Sequence, residues 1–437
     1  MLARSDIANV RRLIWIYFWL LIIEGALRKW FLPQLSTPLL VVRDPVVILA
    51  YYFAFRAGIL PKDRFSIATL ALALISFPAG LLATVIEGQS NISVVLFGLR
   101  TNFLHLPFIF LIAKVFTLED VKALGRWVLI ISVPMTILMI FQFRAGPDDF
   151  LNRGIGETGR QIISTMGKIR PAGTFSFISG PALFYAVVTA FITYGYLNKR
   201  TYPDWLLGIA SVSTVSALVV SGSRSTVGAV GVVFACLGVG ILARPRLVGG
   251  AVRLALIVGI AVFGVSYLPF FGEAYLVTST RFDMANTAEG GILPRFLTAY
   301  TAAFDNIFDV PLLGRGLGMG TNGGAALLGS AGKFLLAETE WPRVIQESGP
   351  VLGLMFITLR ALMVAWMGKW SFKAAAQGDL LPLLLFGTGF LNLLNGQFGQ
   401  PTSLGFAVLM AGLCIASLPQ VKPVQVYQNL ARSGLAT

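Results

Sequence analysis

Apolar stretches of roughly the length that spans a bilayer, about 20 residues, recur along the whole chain and are separated by short polar, mostly basic segments. The windows lie at about 13–26, 43–57, 66–86, 94–116, 127–143, 175–197, 205–221, 225–243, 251–268, 350–368, 380–395 and 402–418. Most are apolar all round rather than striped, which is the pattern of a helix whose solvent is lipid or other helices. The expected fold is therefore all-α: one polytopic membrane domain over 1–437 with about twelve transmembrane helices. The interval 269–349 carries no spanning window and reads as a large loop, placed outside, between the ninth and tenth helices.

Loop charge orients such a chain, because Lys and Arg accumulate on the cytoplasmic side. With the N-terminus inside, every inner segment is basic: Arg4, Arg11 and Arg12; Arg56, Lys62 and Arg64; Lys122 and Arg126; Lys199 and Arg200; Arg244 and Arg246; Lys369 and Lys373; Lys422 and Arg432. Both termini are then cytoplasmic. The first window follows Arg11-Arg12 but lacks a small-residue cleavage site, so it reads as an uncleaved helix. Three outer regions break the charge rule. They are 144–174 with Arg144, Arg153, Arg160, Lys168 and Arg170; the short turn with Arg224; and the large loop with Arg281, Arg295, Arg315, Lys333 and Arg343. Cations held on that side point to an anionic ligand.

Within the large loop, Leu293, Phe296, Leu297, Tyr300 and Phe304 recur at helical spacing, predicting one amphipathic helix over 293–308 with Arg295 in its first turn. Pro311 closes it, and Gly314-Arg315-Gly316-Leu317-Gly318-Met319-Gly320 follows. A further helix is expected from about Glu340 into the tenth span.

Composition changes the picture only in detail. The chain is 56% hydrophobic and 12% charged, with mean hydropathy +0.77, against about 25% charged for a soluble domain. Net charge is +14, here an orientation signal rather than a nucleic-acid footprint. Cys236 and Cys414 fall in apolar windows as small packing residues, and one histidine, His105, cannot build a multi-histidine metal site. No Gly-x-x-x-x-Gly-Lys-Ser/Thr run, dinucleotide fingerprint or Asp-x-Asp pair is present. The expected chemistry uses a lipid-borne substrate, with no cofactor and no metal.

Ionisable residues inside spans are costly and therefore candidates for function. Arg100 lies about two turns into the fourth span from the outer side, at the depth of a buried anion. His105, about one turn deeper, reads as a structural polar contact, and Arg360 as a structural pair with an unidentified acid. Arginine suits phosphate because its planar fork donates two parallel hydrogen bonds and stays charged when desolvated. Glycine-rich turns present backbone amides to the same kind of anion. Glu338 and Glu340, near these cations, are the candidates for a general base; Glu347 reads as a helix-terminus feature.

Four stretches carry a resemblance to a known family: Arg170-Pro171-Ala172-Gly173-Thr174-Phe175; Ser221-Gly222-Ser223-Arg224-Ser225; Arg295 with 305–318; and Glu347-Ser348-Gly349-Pro350-Val351-Leu352-Gly353. In order and spacing they resemble the O-antigen ligase and O-antigen (exopolysaccharide) polymerase superfamily. The resemblance implies about a dozen helices in the bacterial inner membrane with an active site facing the periplasm. It implies metal-independent, inverting transfer of a glycan from undecaprenyl diphosphate to an acceptor glycan, with a chain-length regulator as a possible partner besides the bilayer. Arg224, Arg295, Arg170, Arg100, Arg315 and Arg343 would hold the diphosphate, and Glu338 or Glu340 would take the acceptor proton. Ligases and many polymerases place a histidine about nine residues before the loop's last glutamate. Here that position is Glu338, which favours a polymerase over a ligase acting on lipid A core. A lipid-glycan transporter or flippase is the rival from another class. The run Gly25-Ala26-Leu27-Arg28-Lys29-Trp30 receives no role from the sequence.

Overall fold

The structure, a computed structural model, describes residues 2–87, 91–155, 159, 161, 163, 165–288, 292–305, 307–329 and 339–419. Among them the chain is helical, with an isolated bridge from Ile163 to Ile169 and no strand. The helices are α1 Leu2–Ala26, α2 Asp44–Arg56, α3 Arg64–Ile86, α4 Ile92–Leu99, α5 Leu106–Val115, α6 Leu118–Arg144, α7 Ser179–Leu197 and α8 Asp204–Val220. They continue as α9 Arg224–Ala243, α10 Val248–Ser266, α11 Phe271–Ala288, α12 Ile292–Thr301, α13 Asn322–Leu328, α14 Glu340–Gln377, α15 Leu381–Asn395 and α16 Pro401–Ala416.

A helix stands at each of the twelve apolar windows. Eight of the described helical segments are long and apolar enough to cross a membrane: 38–56, 64–86, 92–115, 118–144, 179–197, 224–243, 245–266 and 340–377. The apolar helices α8, α15 and α16 are shorter. The interior is built around α16, which buries all of its residues against α5, α15 and α7, and α7, which packs on α9 and α15. The periphery is apolar too. Leu70, Leu74, Leu82 and Ile86 of α3 and Leu256, Ile260 and Phe263 of α10 are all more than half exposed. In water a surface of that kind would associate; in a bilayer it faces lipid tails of equal polarity. The architecture is that of a multi-pass α-helical membrane protein.

Local sequence explains several boundaries. Asp63 caps α3 by accepting from the amides of Phe65 and Ser66, and Thr117 with Asp120 forms a reciprocal capping box at α6. Between α4 and α5 the helix widens into a π turn, Arg100–Leu104, and α1 ends in another, Leu27–Phe31.

Three features of the 269–349 interval differ from the expectation or sharpen it. The stretch from Phe271 to Ala288 is helical, forming α11, which lies on α8 with Thr278 Oγ1 donating to Val219 O; its weak apolar stripe hides it from a periodicity reading. The amphipathic helix is shorter than expected, stopping at Thr301, because Phe304 turns back so that it and Tyr300 pack edge-on against Trp341. Finally, α14 begins at Glu340 as expected but is broken at Gly349 (φ 78°, ψ 169°), just before Pro350. Residues 340–348 fold back beside the following turns. Ile345 lies against Gly353, and Glu340 reaches Arg360.

Candidate functional site

The polar interior of the bundle is concentrated where the C-terminal end of α1, the N-terminal ends of α2, α14 and α16, and the C-terminal end of α15 meet around the Arg100–Leu104 π turn. Two hydrogen-bonded clusters flank that turn. Insertions of this type redirect side chains out of the regular helical register and recur at functional sites.

The first cluster is closed. Arg343, 4% exposed, donates from Nε and Nη2 to Glu340 at 2.9 Å each, from Nη1 to Glu347 at 2.7 Å, and from Nη2 to Asn102 Oδ1 at 3.0 Å. Arg360, fully buried, donates to Glu340 Oε1 at 2.8 Å and to the carbonyls of Leu393 at 2.7 Å and Gly396 at 2.9 Å. Its guanidinium lies 3.8 Å from the Phe398 ring centroid. The arginine thereby satisfies carbonyls at the end of α15 that have no helical partner. Two guanidinium groups face two carboxylates, so the cluster carries no net charge to offer a ligand.

The glycine run is fastened to this cluster. Gly320 N donates to Glu347 Oε1 at 2.7 Å, Arg315 N to Gln346 O and Gly316 N to Glu347 O. The amides of Gly314, Met319 and Thr321 donate to carbonyls within the same stretch. Gly318 (φ 89°) lies directly against Val94 O and Gly98, and Gly349 against Leu312 O, with no room for a Cβ on either. The run is therefore a close-packed seam between the loop and α4, with most of its amides already spent, rather than an open anion cradle.

The second cluster runs the other way from the π turn. Arg100 forks onto Asp44, with Nε at 2.5 Å and Nη2 at 2.8 Å. Asp44 also meets His105 Nε2 at 2.9 Å, and His105 Nδ1 meets the Tyr17 hydroxyl at 3.1 Å. Arg43 donates to Tyr17 OH at 3.3 Å, to Glu24 Oε2 at 3.1 Å and to Pro401 O. Glu24 in turn pairs with Arg28 at 3.6 Å, and Arg28 donates to Ser36 O and Ser176 Oγ. These contacts supply the role the sequence withheld from the run after Glu24. Lys29 Nζ donates to Gly173 O at 2.6 Å, Thr174 Oγ1 donates to Ile22 O, and Gly25 sits directly on 174–176. Gln142 holds both the amide and the carbonyl of Gly173. Burial among these groups pushes the Lys29 ammonium down to about 7.

Placed against this geometry, the sequence candidates divide. Glu340 and Arg343 come together, whereas Arg100 belongs to the second cluster. Glu340 is not available as a general base: it is fully buried, with its oxygens held by Arg343 and Arg360. Arg343 has every nitrogen committed to protein acceptors, and Arg100 is forked onto Asp44. Arg170 and Arg224 are half-buried and Arg315 is exposed. Arg295 lies on α12 with its side chain outside the described residues, as are Glu338, Lys333 and Arg160. The sequence missed Asp44, Glu24, Arg43, Tyr17 and Asn102. Asp44 and Arg43 stood at the mouth of the second window, and a charged pair inside an apolar window was the available signal. Comparison with known proteins yields no match: no family model, no curated protein and no solved structure corresponds to this chain.

Proposed function

We propose that this protein is a membrane glycosyltransferase that moves a glycan from undecaprenyl diphosphate onto an acceptor sugar hydroxyl, acting as an O-antigen or exopolysaccharide polymerase. In this reading the chain crosses the bacterial inner membrane twelve times with both termini in the cytoplasm. The end of the bundle that gathers the buried arginines then faces the periplasm.

One observation carries the reading. Three of the four motif stretches, far apart in sequence, are fastened to the two buried ionic clusters: Gly316 N donates to Glu347 O and Glu347 pairs with Arg343, while Gly173 accepts from Lys29, next in the chain to Arg28 of the second cluster; the Arg100–Leu104 turn gives Asn102 to one cluster and Arg100 to the other. Buried ionic chains are expensive in a bilayer and are kept where they serve a site. Because the internal arginines are neutralised, we assign them to the scaffold. Arg170, Arg224, Arg295 and Arg315 then bind the diphosphate leaving group. The acceptor proton falls to Glu338, since Glu340 is pinned. Displacement by the acceptor hydroxyl inverts the anomeric centre.

The test is polymer growth from a lipid-linked repeat by purified protein in liposomes. Arg224→Ala is expected to lower the rate about 100–1,000-fold, the usual cost of one donor to a developing anion, and Glu338→Gln to abolish growth with binding retained. Wild-type rates in both variants remove the proposed site. Lipid flipping by the same liposomes without any transfer would establish the transporter instead.

A further inference from the structure

The other end of α14 carries a feature that the activity above does not use. Lys369 and Lys373 lie nine and thirteen residues beyond Arg360, about 14 and 20 Å along the axis. Two clefts of about 380 and 210 Å³ open there on either side of Trp366 and Trp370. Arg64 and Lys369 line the first; Lys373 and Leu418 line the second. We propose that this paired cleft binds the phosphate headgroup of an anionic glycerophospholipid.

Four observations converge. Arg64, Lys369 and Lys373 are exposed, and none of them meets a carboxylate among the described residues. The nearest acid in sequence, Asp63, is occupied in capping α3, accepting from two amides and the Ser66 hydroxyl. Trp366 is held in place by Phe65 and Phe110, with ring centroids 5.8 and 6.3 Å away, and Lys373 Nζ lies 4.8 Å from the Trp370 ring. Neither indole N–H has an acceptor among the described residues, which leaves two fixed donors beside three cations. Leu362, 56% exposed, continues the wall of the first cleft up α14, giving an acyl chain an apolar track. Free phosphate would use the cations but not that track. Basic pockets with interfacial tryptophan at the ends of membrane helices have this chemistry. The inference is independent of the enzymatic activity.

Binding is read by native mass spectrometry of the full-length protein in detergent. Phosphatidylglycerol, phosphatidylcholine and inorganic phosphate are titrated separately and in competition. Wild type is expected to retain phosphatidylglycerol at least tenfold better than phosphatidylcholine. Combined Arg64→Gln, Lys369→Gln and Lys373→Gln is expected to erase that preference, at about fivefold per cation. These side chains are exposed, so the fold is expected to persist. As a second arm, Trp370→Phe keeps the ring, drops one donor, and should weaken phosphatidylglycerol alone about fivefold. Equal retention of both lipids by wild type, an unchanged preference in both variants, or full displacement of the lipid by inorganic phosphate overturns the proposal.

Discussion

Replacing Arg343 with methionine tests whether the closed cluster holds the loop to the bundle. Methionine roughly fills the volume and removes the charge. Glu340 keeps Arg360 at 2.8 Å, but Glu347 keeps only the Gly320 amide at 2.7 Å. A balanced set of two cations and two anions becomes one cation and two anions, all buried. At about 4 Å between charge centres and an effective dielectric constant of about 20, each lost pair forfeits about 4 kcal/mol of attraction. Against this, the guanidinium no longer has to be stripped of water. Removing one partner of a buried pair nets about 3–5 kcal/mol, and that is the expected loss. It is measured as unfolding in mixed micelles titrated with sodium dodecyl sulfate, followed by far-ultraviolet circular dichroism. Proteolysis between 311 and 339 should accelerate in parallel, because the glycine run is anchored through Glu347. Adding Glu347→Gln to Arg343→Met removes the stranded anion while leaving an oxygen for the Gly320 amide, and should recover at least half of the loss. A loss under about 1 kcal/mol, or no recovery in the double variant, refutes the reasoning.

Gly318→Ala combines a left-handed backbone (φ 89°) with a Cβ driven onto Val94 O. It should cost about 1–3 kcal/mol or more in the same unfolding assay, whereas Gly228→Ala, on a helix with open space beside it, should be neutral or slightly stabilising. Lys29 gives a pH signature. The unfolded chain holds the Lys29 proton up to about 10.5 and the folded protein releases it near 7. Between those values the unfolded state binds more protons, so stability rises with pH across that interval. Lys29→Met should flatten the rise in detergent-unfolding curves recorded from pH 7 to 10; an unchanged slope would show that another group is responsible.

The helices at the twelve apolar windows, though not α11, were legible in the amino-acid order because an apolar run in a low-dielectric solvent must close its backbone hydrogen bonds within itself. The start of α14 at Glu340 was legible as well; its interruption at Gly349-Pro350 was not expected, although its cause is local: a glycine free to take positive φ, followed by a residue that cannot donate. What that interruption does was not local. In a straight helix Glu340 and Arg360 would stand about 30 Å apart, twenty residues at 1.5 Å each; the fold-back brings them to 2.8 Å and so identifies the acid that Arg360 requires. The same holds for Arg100, whose partner Asp44 comes from another helix, and for Lys29, which ends on a carbonyl 144 residues away. A charged side chain in a one-dimensional chain declares only that burying it is costly. Which opposite charge removes that cost, and therefore whether an arginine is a strut or is free to meet a substrate, depends on distances that tertiary packing alone sets.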